Sequence, residues 1–181
     1  MKEIEIKIRI VDPEKTIDLL EKQGCVFSQP IRQQDAVFIP NEVPTVPCPA
    51  GTNVLRIRKQ GDKNILTLKR SDVGNHLSKL EHELEIGNSE EMKKIIFLLG
   101  FKLIADTTKM RRKCKIKDYE ICVDQVEGLG SFLEIERMSA EDPERIQEEM
   151  LAFLSSIGID ATDRVYVGYD ILWVQKHQNK T

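Results

Sequence analysis

The chain begins by alternating charged and aliphatic residues: Glu3, Glu5, Lys7 and Arg9 fall at one parity, and Ile4, Ile6, Ile8 and Ile10 at the other. A period of two places the two sets on opposite faces of a β-strand. The alternation recurs. Arg56 and Arg58 oppose Leu55 and Ile57 in 54–59, and Thr67 and Lys69 oppose Leu66 and Leu68 in 64–70. In 80–86, Glu81, Glu83 and Glu85 oppose Leu84 and Ile86. Further along, Lys109, Arg111, Lys113 and Lys115 oppose Met110, Cys114 and Ile116, Asp124 opposes Val123, and Glu134 and Glu136 oppose Leu133 and Ile135. These runs predict strands at 2–10, 32–39, 54–59, 64–70, 80–86, 107–116, 119–126 and 131–137.

Helical segments fall between them. Asp12-Pro13 supplies an N-cap and a first-turn proline for a helix ending before Gly24. Ser89 is the expected cap of a helix over 90–99 stopped by Gly100, and Asp142-Pro143 opens a third helix running to Ser156 before Gly158. Pro40, Pro44, Pro47 and Pro49 mark a loop ending near Gly51, Gly61-Asp62 a hairpin turn, and the polar run 71–78 a mobile connection. Residues 166–173 are expected to form a short strand or a turn of helix. The order strand–helix–three strands thus occurs twice. The expected fold is α+β: a closed or nearly closed antiparallel β-barrel of about eight strands, built from two β-α-β-β-β halves, with the helices outside. The expected organisation is one domain over 1–175 and a frayed tail at 176–181.

Composition narrows the function. Charged residues make up 31% of the chain, yet the formal net charge is only -3, so a bulk nucleic-acid partner is not indicated. Aromatics are 6%, and none lies in the basic strands 54–59 and 107–116, which argues against an RNA-binding barrel with stacking platforms. No apolar run approaches the ~20 residues of a membrane span, and no signal peptide is expected. Cys25, Cys48, Cys114 and Cys122 show no CxxC spacing, and His76, His82 and His177 no ligand spacing, so free thiols in a reducing cytoplasm are expected rather than zinc.

Every strand has a charged face and an apolar one. An ordinary half-solvated sheet would account for any single strand. The grouping of signs favours charges turned inward instead: Glu-x-Glu recurs at 3/5, 81/83, 83/85 and 134/136, with basic strands between. Lysine and arginine neutralise and orient phosphate oxygens, while clustered carboxylates repel one another unless a cation sits among them. A polyanion bound with magnesium or manganese satisfies both sets, and phosphoryl transfer needs those parts.

The ordered motifs resemble the CYTH superfamily, which joins class IV adenylyl cyclases, thiamine triphosphatases and inorganic triphosphatases in a triphosphate tunnel fold. The resemblance is carried by Glu3-x-Glu5-x-Lys7, Arg56-Ile57-Arg58, Lys69, Glu83-Leu84-Glu85, Lys109-Met110-Arg111, Asp124, Gly128 and Gly130, and Glu134-Ile135-Glu136. It implies Glu3, Glu5, Glu134 and Glu136 as metal ligands, with Mg2+ or Mn2+ as cofactor. It implies Lys7, Arg56, Arg58, Lys69, Lys109 and Arg111 as triphosphate-binding residues, with Glu3, Glu5, Lys7, Lys109 and Glu136 as the catalytic set. Glu83, Glu85 and Asp124 would orient the basic residues or take a second metal, and a structural ion pair is an equal reading of them. Arg112 has the wrong parity and should point away, Lys113, Lys115 and Lys117 should meet solvent, and Cys122 should pack as a small side chain.

The expected activity is a class IV adenylyl cyclase, converting ATP to cyclic AMP and pyrophosphate. The alternative is a triphosphatase acting on tripolyphosphate, a nucleoside triphosphate or thiamine triphosphate. A non-catalytic polyphosphate or nucleotide binder is a third reading. No nucleic-acid or membrane partner is expected. An open edge or barrel end would allow a homodimer, although no specific dimer signal is present.

Overall fold

The computed structural model describes residues 2–44, 46–72 and 75–178, with the side chains of Lys2, residues 71–72 and 75–79 left aside. In chain order the elements are β1 (Lys2–Ile10), α1 (Pro13–Glu21), β2 (Ile31–Pro40), β3 (Asn53–Gln60), β4 (Lys63–Asp72), β5 (Asn75–Ile86) and α2 (Ser89–Leu98). Then follow β6 (Phe101–Ile116), β7 (Tyr119–Val126), β8 (Gly130–Ser139), α3 (Pro143–Ser156), β9 (Arg164–Val165) and α4 (Tyr169–Gln178). The strands form a nine-stranded sheet in the order β5-β4-β3-β2-β6-β7-β8-β1-β9, and the paired registers are antiparallel. The repeated strand–helix–three-strand plan is present as β1-α1-β2-β3-β4 and β5-α2-β6-β7-β8. Closure of the sheet into a barrel rests on the family resemblance alone.

Local chemistry sets the helix ends. The Asp12 carboxylate accepts from the Lys15 amide at 3.0 Å, and Pro13 sits where a missing N–H costs nothing. For α2 the cap is Asn88, whose side chain accepts from the Glu90 and Glu91 amides at 3.0 Å, and not Ser89, which is the first helical residue. Gly100, at φ 84°, turns the chain from α2 straight into β6 in a conformation that a Cβ would strain.

Three segments depart from the sequence expectation. Residues 71–78, expected to be a mobile connection, are largely strand: β4 and β5 extend toward each other with Ser71 opposite Lys79, and ladder hydrogen bonds outweigh the low strand preference of polar residues. Residues 73–74 lie outside the described residues. β6 starts at Phe101, not 107, because α2 ends at once on Gly100 and the chain has no loop to make. The C-terminal segment is a helix that includes Lys176, His177 and Gln178, where fraying was expected; residues 179–181 lie outside the described residues.

The chain divides into two compact units, Met1–Ile31 with Lys109–Tyr166 (unit 1) and Arg32–Thr108 with Val167–Thr181 (unit 2). In unit 1 the aliphatic faces of β1, β7 and β8 bury Ile4, Ile6, Ile8, Ile121, Leu133 and Ile135 against α1 and α3 residues Ile17, Leu20, Ile146, Met150 and Leu154. Covering this face commits the opposite, charged parity to the other side of the same strands. In unit 2 a smaller core of Ala36, Phe38, Ile57 and Ile96 performs the same sorting. Among the described residues no helix is long and apolar enough to cross a membrane.

Candidate metal and phosphate site

In unit 1, strand register decides which charges meet. β1 and β8 place Lys7 opposite Glu134 and Glu5 opposite Glu136. β6 and β7 place Arg111 opposite Asp124, and β7 and β8 place Cys122 opposite Glu134. The result is a buried ion network. Lys7 lies 3.2 Å from Glu134, and Lys109 3.5 Å from Asp124. The Arg111 guanidinium donates to both Asp124 oxygens, one at 2.7 Å through Nε, and also to Glu134. Asp124 is 0% exposed, so it cannot rely on water, and two cations take its place.

The electrostatics follow from that packing. Burial would raise the Glu134 carboxyl, but Arg111, Lys7 and Lys109 outweigh it and hold the group well below the usual carboxylate range. Burial works against the Arg111 charge, and the Asp124 hydrogen bonds and Glu134 more than offset it, so the guanidinium is held firmly charged. The buried Cys122 thiol is pushed up to about 12, first by burial and against the pull of Arg111, and so packs as a neutral group.

Beside this network lies a group of carboxylates. Glu3, Glu5 and Glu136 each offer an oxygen, and the three oxygens lie within 4.8 Å of one another. Two unit charges at that separation repel by about 1 kcal/mol in water and by about 3–4 kcal/mol at an effective dielectric of 20. The consequence is visible at Glu136, whose carboxyl is pushed up to about 7 by burial, then by Glu3, Glu120 and Glu134, with Arg111 opposing. An all-oxygen donor set of this kind suits a hard divalent cation such as Mg2+ or Mn2+. Glu120, across β7 and β8 from Glu136, is drawn toward Lys113 at 3.0 Å and Lys115 at 3.4 Å. Burial raises its carboxyl, and those two lysines bring it below the ordinary value.

In unit 2 the register of β2, β3 and β4 sets Asp35 opposite Arg58 and Arg56 opposite Thr67. Arg58 makes a bidentate pair with Asp35, both bonds at 2.7 Å. Arg56 Nη2 donates to Thr67 Oγ1 and Glu83, each at 3.1 Å, and lies 3.8 Å from Glu81, while Lys69 is 3.2 Å from Glu81. Arg56 Nε is buried without a hydrogen-bond partner among the described residues. Burial, and then neighbouring Arg58, lowers the Arg56 pKa against the opposing pull of Asp35, Glu81 and Glu83.

The predicted residues therefore separate. Glu3, Glu5 and Glu136 come together as possible ligands, whereas Glu134, of the same parity as Glu136, is occupied by Lys7 and Arg111. Lys7, Lys109, Arg111 and Asp124 form one network in unit 1, and Arg56, Arg58, Lys69 and Glu83 belong to another in unit 2. Glu85 stands apart, paired with Lys63 at an exposed position. Arg112 points away from the network, to Glu14 on α1 at 3.1 Å. Lys113 meets solvent as expected, with its side chain 42% exposed, and is also tied to Glu120. Sequence reasoning missed Asp35, Thr67, Glu81 and Glu120 as partners of the basic residues. Their signal was parity: each stands on the charged face beside or opposite a predicted basic residue.

The model of the CYTH domain matches residues 1–169. The chain belongs to the CYTH family. A relative from Methanocaldococcus jannaschii, named "Putative adenylate cyclase MJ0240", is 31% identical over 175 residues, covering 93% of this chain and 97% of that protein. Among solved structures, a conserved hypothetical protein of Pyrococcus furiosus is 30% identical with a TM-score of 0.74, over 93% of this chain and 98% of that one. A Hippeastrum protein, HpAC1, described as having a dominant triphosphatase activity, matches at 21% identity with a TM-score of 0.61, over 97% of this chain and 96% of its own. At that identity the likeness concerns the fold alone.

Proposed function

We propose that this CYTH protein is a metal-dependent enzyme acting on a triphosphate, and that its reaction is the class IV adenylyl cyclase conversion of ATP to cyclic AMP and pyrophosphate. The observation that carries the metal-and-triphosphate part of this reading is the Glu3–Glu5–Glu136 oxygen cluster beside the buried Lys7, Lys109 and Arg111 cations, and the name of the 31% identical relative favours the cyclase. In this reading Glu3, Glu5 and Glu136 hold Mg2+ or Mn2+. The bound cation supplies charge neutralisation at the phosphates and lowers the pKa of the attacking hydroxyl. Lys7, Lys109 and Arg111 bind phosphate oxygens and stabilise charge that builds on the leaving pyrophosphate. Asp124 and Glu134 fix those cations in place, a positioning role. Arg56, Arg58 and Lys69 are assigned to triphosphate oxygens, with Asp35 and Glu83 orienting the two arginines. In the cyclase reaction the ribose 3′-oxygen attacks the α-phosphorus and the bond to the β-phosphate bridge breaks.

A triphosphatase is the alternative, because the same charges would serve a water attacking the terminal phosphorus. The four cysteines are all free, which supports a reducing, cytoplasmic setting. The deciding experiment is product analysis by phosphorus NMR after incubation with ATP, tripolyphosphate or thiamine triphosphate in magnesium or manganese. Cyclic AMP with pyrophosphate is expected. Orthophosphate without cyclic nucleotide would make the protein a triphosphatase, and tight binding without any product would make it a binder.

A further inference from the structure

The charges described so far recognise phosphates and metal, and none of them distinguishes an organic triphosphate from inorganic tripolyphosphate. Unit 2 contains a cavity of about 380 Å3 whose walls include Ile39, Val46, Lys102, Ile104, Trp173 and His177. That volume lies within the range of about 300–1,000 Å3 typical of small-ligand sites, and its lining is mostly apolar with a few polar groups.

Its place on the sheet is informative. Ala36 and Phe38 of β2 join the core with Ile57, so Asp35, Val37 and Ile39 share the opposite face. Asp35 and Val37 stand across from Arg58 and Arg56. Ile39 is thus two residues, about 7 Å, further along the face that carries the two guanidinium groups. Trp173 is held flat by stacking on His177, with ring centroids 3.9 Å apart and planes at 23°. Lys102 Nζ is anchored 3.2 Å from the Asn41 carbonyl oxygen, placing a positive charge on the wall that disfavours a cationic ring.

We infer that this cavity takes the neutral aromatic heterocycle of a nucleoside triphosphate whose phosphates are gripped by Arg56 and Arg58. The inference rests on the triphosphate reading above. It selects an organic substrate over inorganic tripolyphosphate and a neutral base over a thiazolium.

Trp173 is the sole tryptophan of the chain, so its emission reports on the cavity directly. The full-length protein in Mg2+ would be titrated with ATP and, separately, with tripolyphosphate, following emission and heat of binding. Both are expected to bind, and only ATP to change the emission. Trp173→Ala should raise the ratio of the ATP Kd to the tripolyphosphate Kd about tenfold, the scale of one base–aromatic stack. Val46→Trp, which fills the cavity from the loop, should move the ratio in the same direction and covers the case in which the first variant does not fold. If both ligands bind while the emission ignores ATP and neither variant shifts the ratio, the cavity assignment is wrong and the triphosphate reading stands. If neither ligand binds, the triphosphate reading fails and this inference falls with it.

Discussion

Units 1 and 2 use the same device, a basic strand flanked by carboxylates, at two levels of burial. In unit 1 Asp124 is fully buried and the Lys7, Lys109, Arg111 and Glu134 side chains are nearly so, above a large aliphatic core. In unit 2 the Glu83 side chain is 50% exposed, Lys69 and Glu81 are about a third exposed, and the core is small. Burial removes water as an alternative partner, so the unit 1 cations are held rigidly by protein groups. In unit 2 only Lys69, Glu81 and Glu83 retain water and can exchange one oxygen partner for another, while the Arg58–Asp35 pair is held nearly as tightly as the unit 1 cations. On the proposed reading, the unit 1 cations and Arg58 supply fixed electrostatics and Lys69 a more adaptable contact.

That contrast can be broken at its strongest point. Asp124→Ala removes a fully buried carboxylate shared by Arg111 and Lys109 and is expected to cost about 3–5 kcal/mol, measured by denaturant unfolding. A loss below 1 kcal/mol would show that the network is solvated. Glu5→Gln is expected to lower metal-dependent turnover by at least about 100-fold while circular dichroism and Tm stay close to the parent. Surviving activity would remove Glu5 from the metal set. Arg58→Ala is expected to raise the triphosphate concentration needed for half-maximal rate by about tenfold with little change in the metal requirement; an unchanged substrate dependence would place Arg58 outside the binding surface.

A smaller effect tests the carboxylates by pH. The Glu136 carboxyl is raised to about 7 in the folded chain, above its unfolded value, so the folded state holds an extra proton between those values. Its stabilising contribution is present at low pH and is lost as pH rises through about 7. A cation bound there replaces the proton, so Mn2+ should raise Tm more at pH 8 than at pH 6. Equal shifts at both pH values would separate Glu136 from the metal. The smallest expected effect belongs to unit 2: Glu83→Gln, at an exposed pair, should change stability by no more than about 1 kcal/mol.

Much of this was legible in the chain because period-two alternation is a geometric fact about strands. It identified the charged parity of Glu3, Glu5, Lys7, Arg56, Arg58, Lys109, Arg111, Asp124, Glu134 and Glu136, and the glycines and Asp-Pro pairs marked the helix ends. What it could not supply is register. Glu134 and Glu136 are equivalent by parity, and only the pairing of β1 with β8 sends one to Lys7 and the other to Glu5. Asp35 escaped because the apolar run Ala36-Val37-Phe38-Ile39 that follows it hides the alternation that put Asp124 on a charged face. The cavity at Trp173 escaped because it depends on α4 meeting β2 and β6, contacts no local pattern encodes.

The pairing of β1 with β8 also has a consequence in time. Ile10 lies opposite Ser131 and Lys2 opposite Ser139, so β1 finds that neighbour only after the intervening residues 11–130 have been made. At ribosomal rates of about 5–20 residues per second, the strand bearing Glu3, Glu5 and Lys7 waits on the order of 10 s for it. During that interval Ile4, Ile6 and Ile8 are exposed, and the alternating charges between them guard against strand-to-strand aggregation. The charged residues that alternate with Ile4, Ile6 and Ile8 thus also guard their own strand until β8 is made.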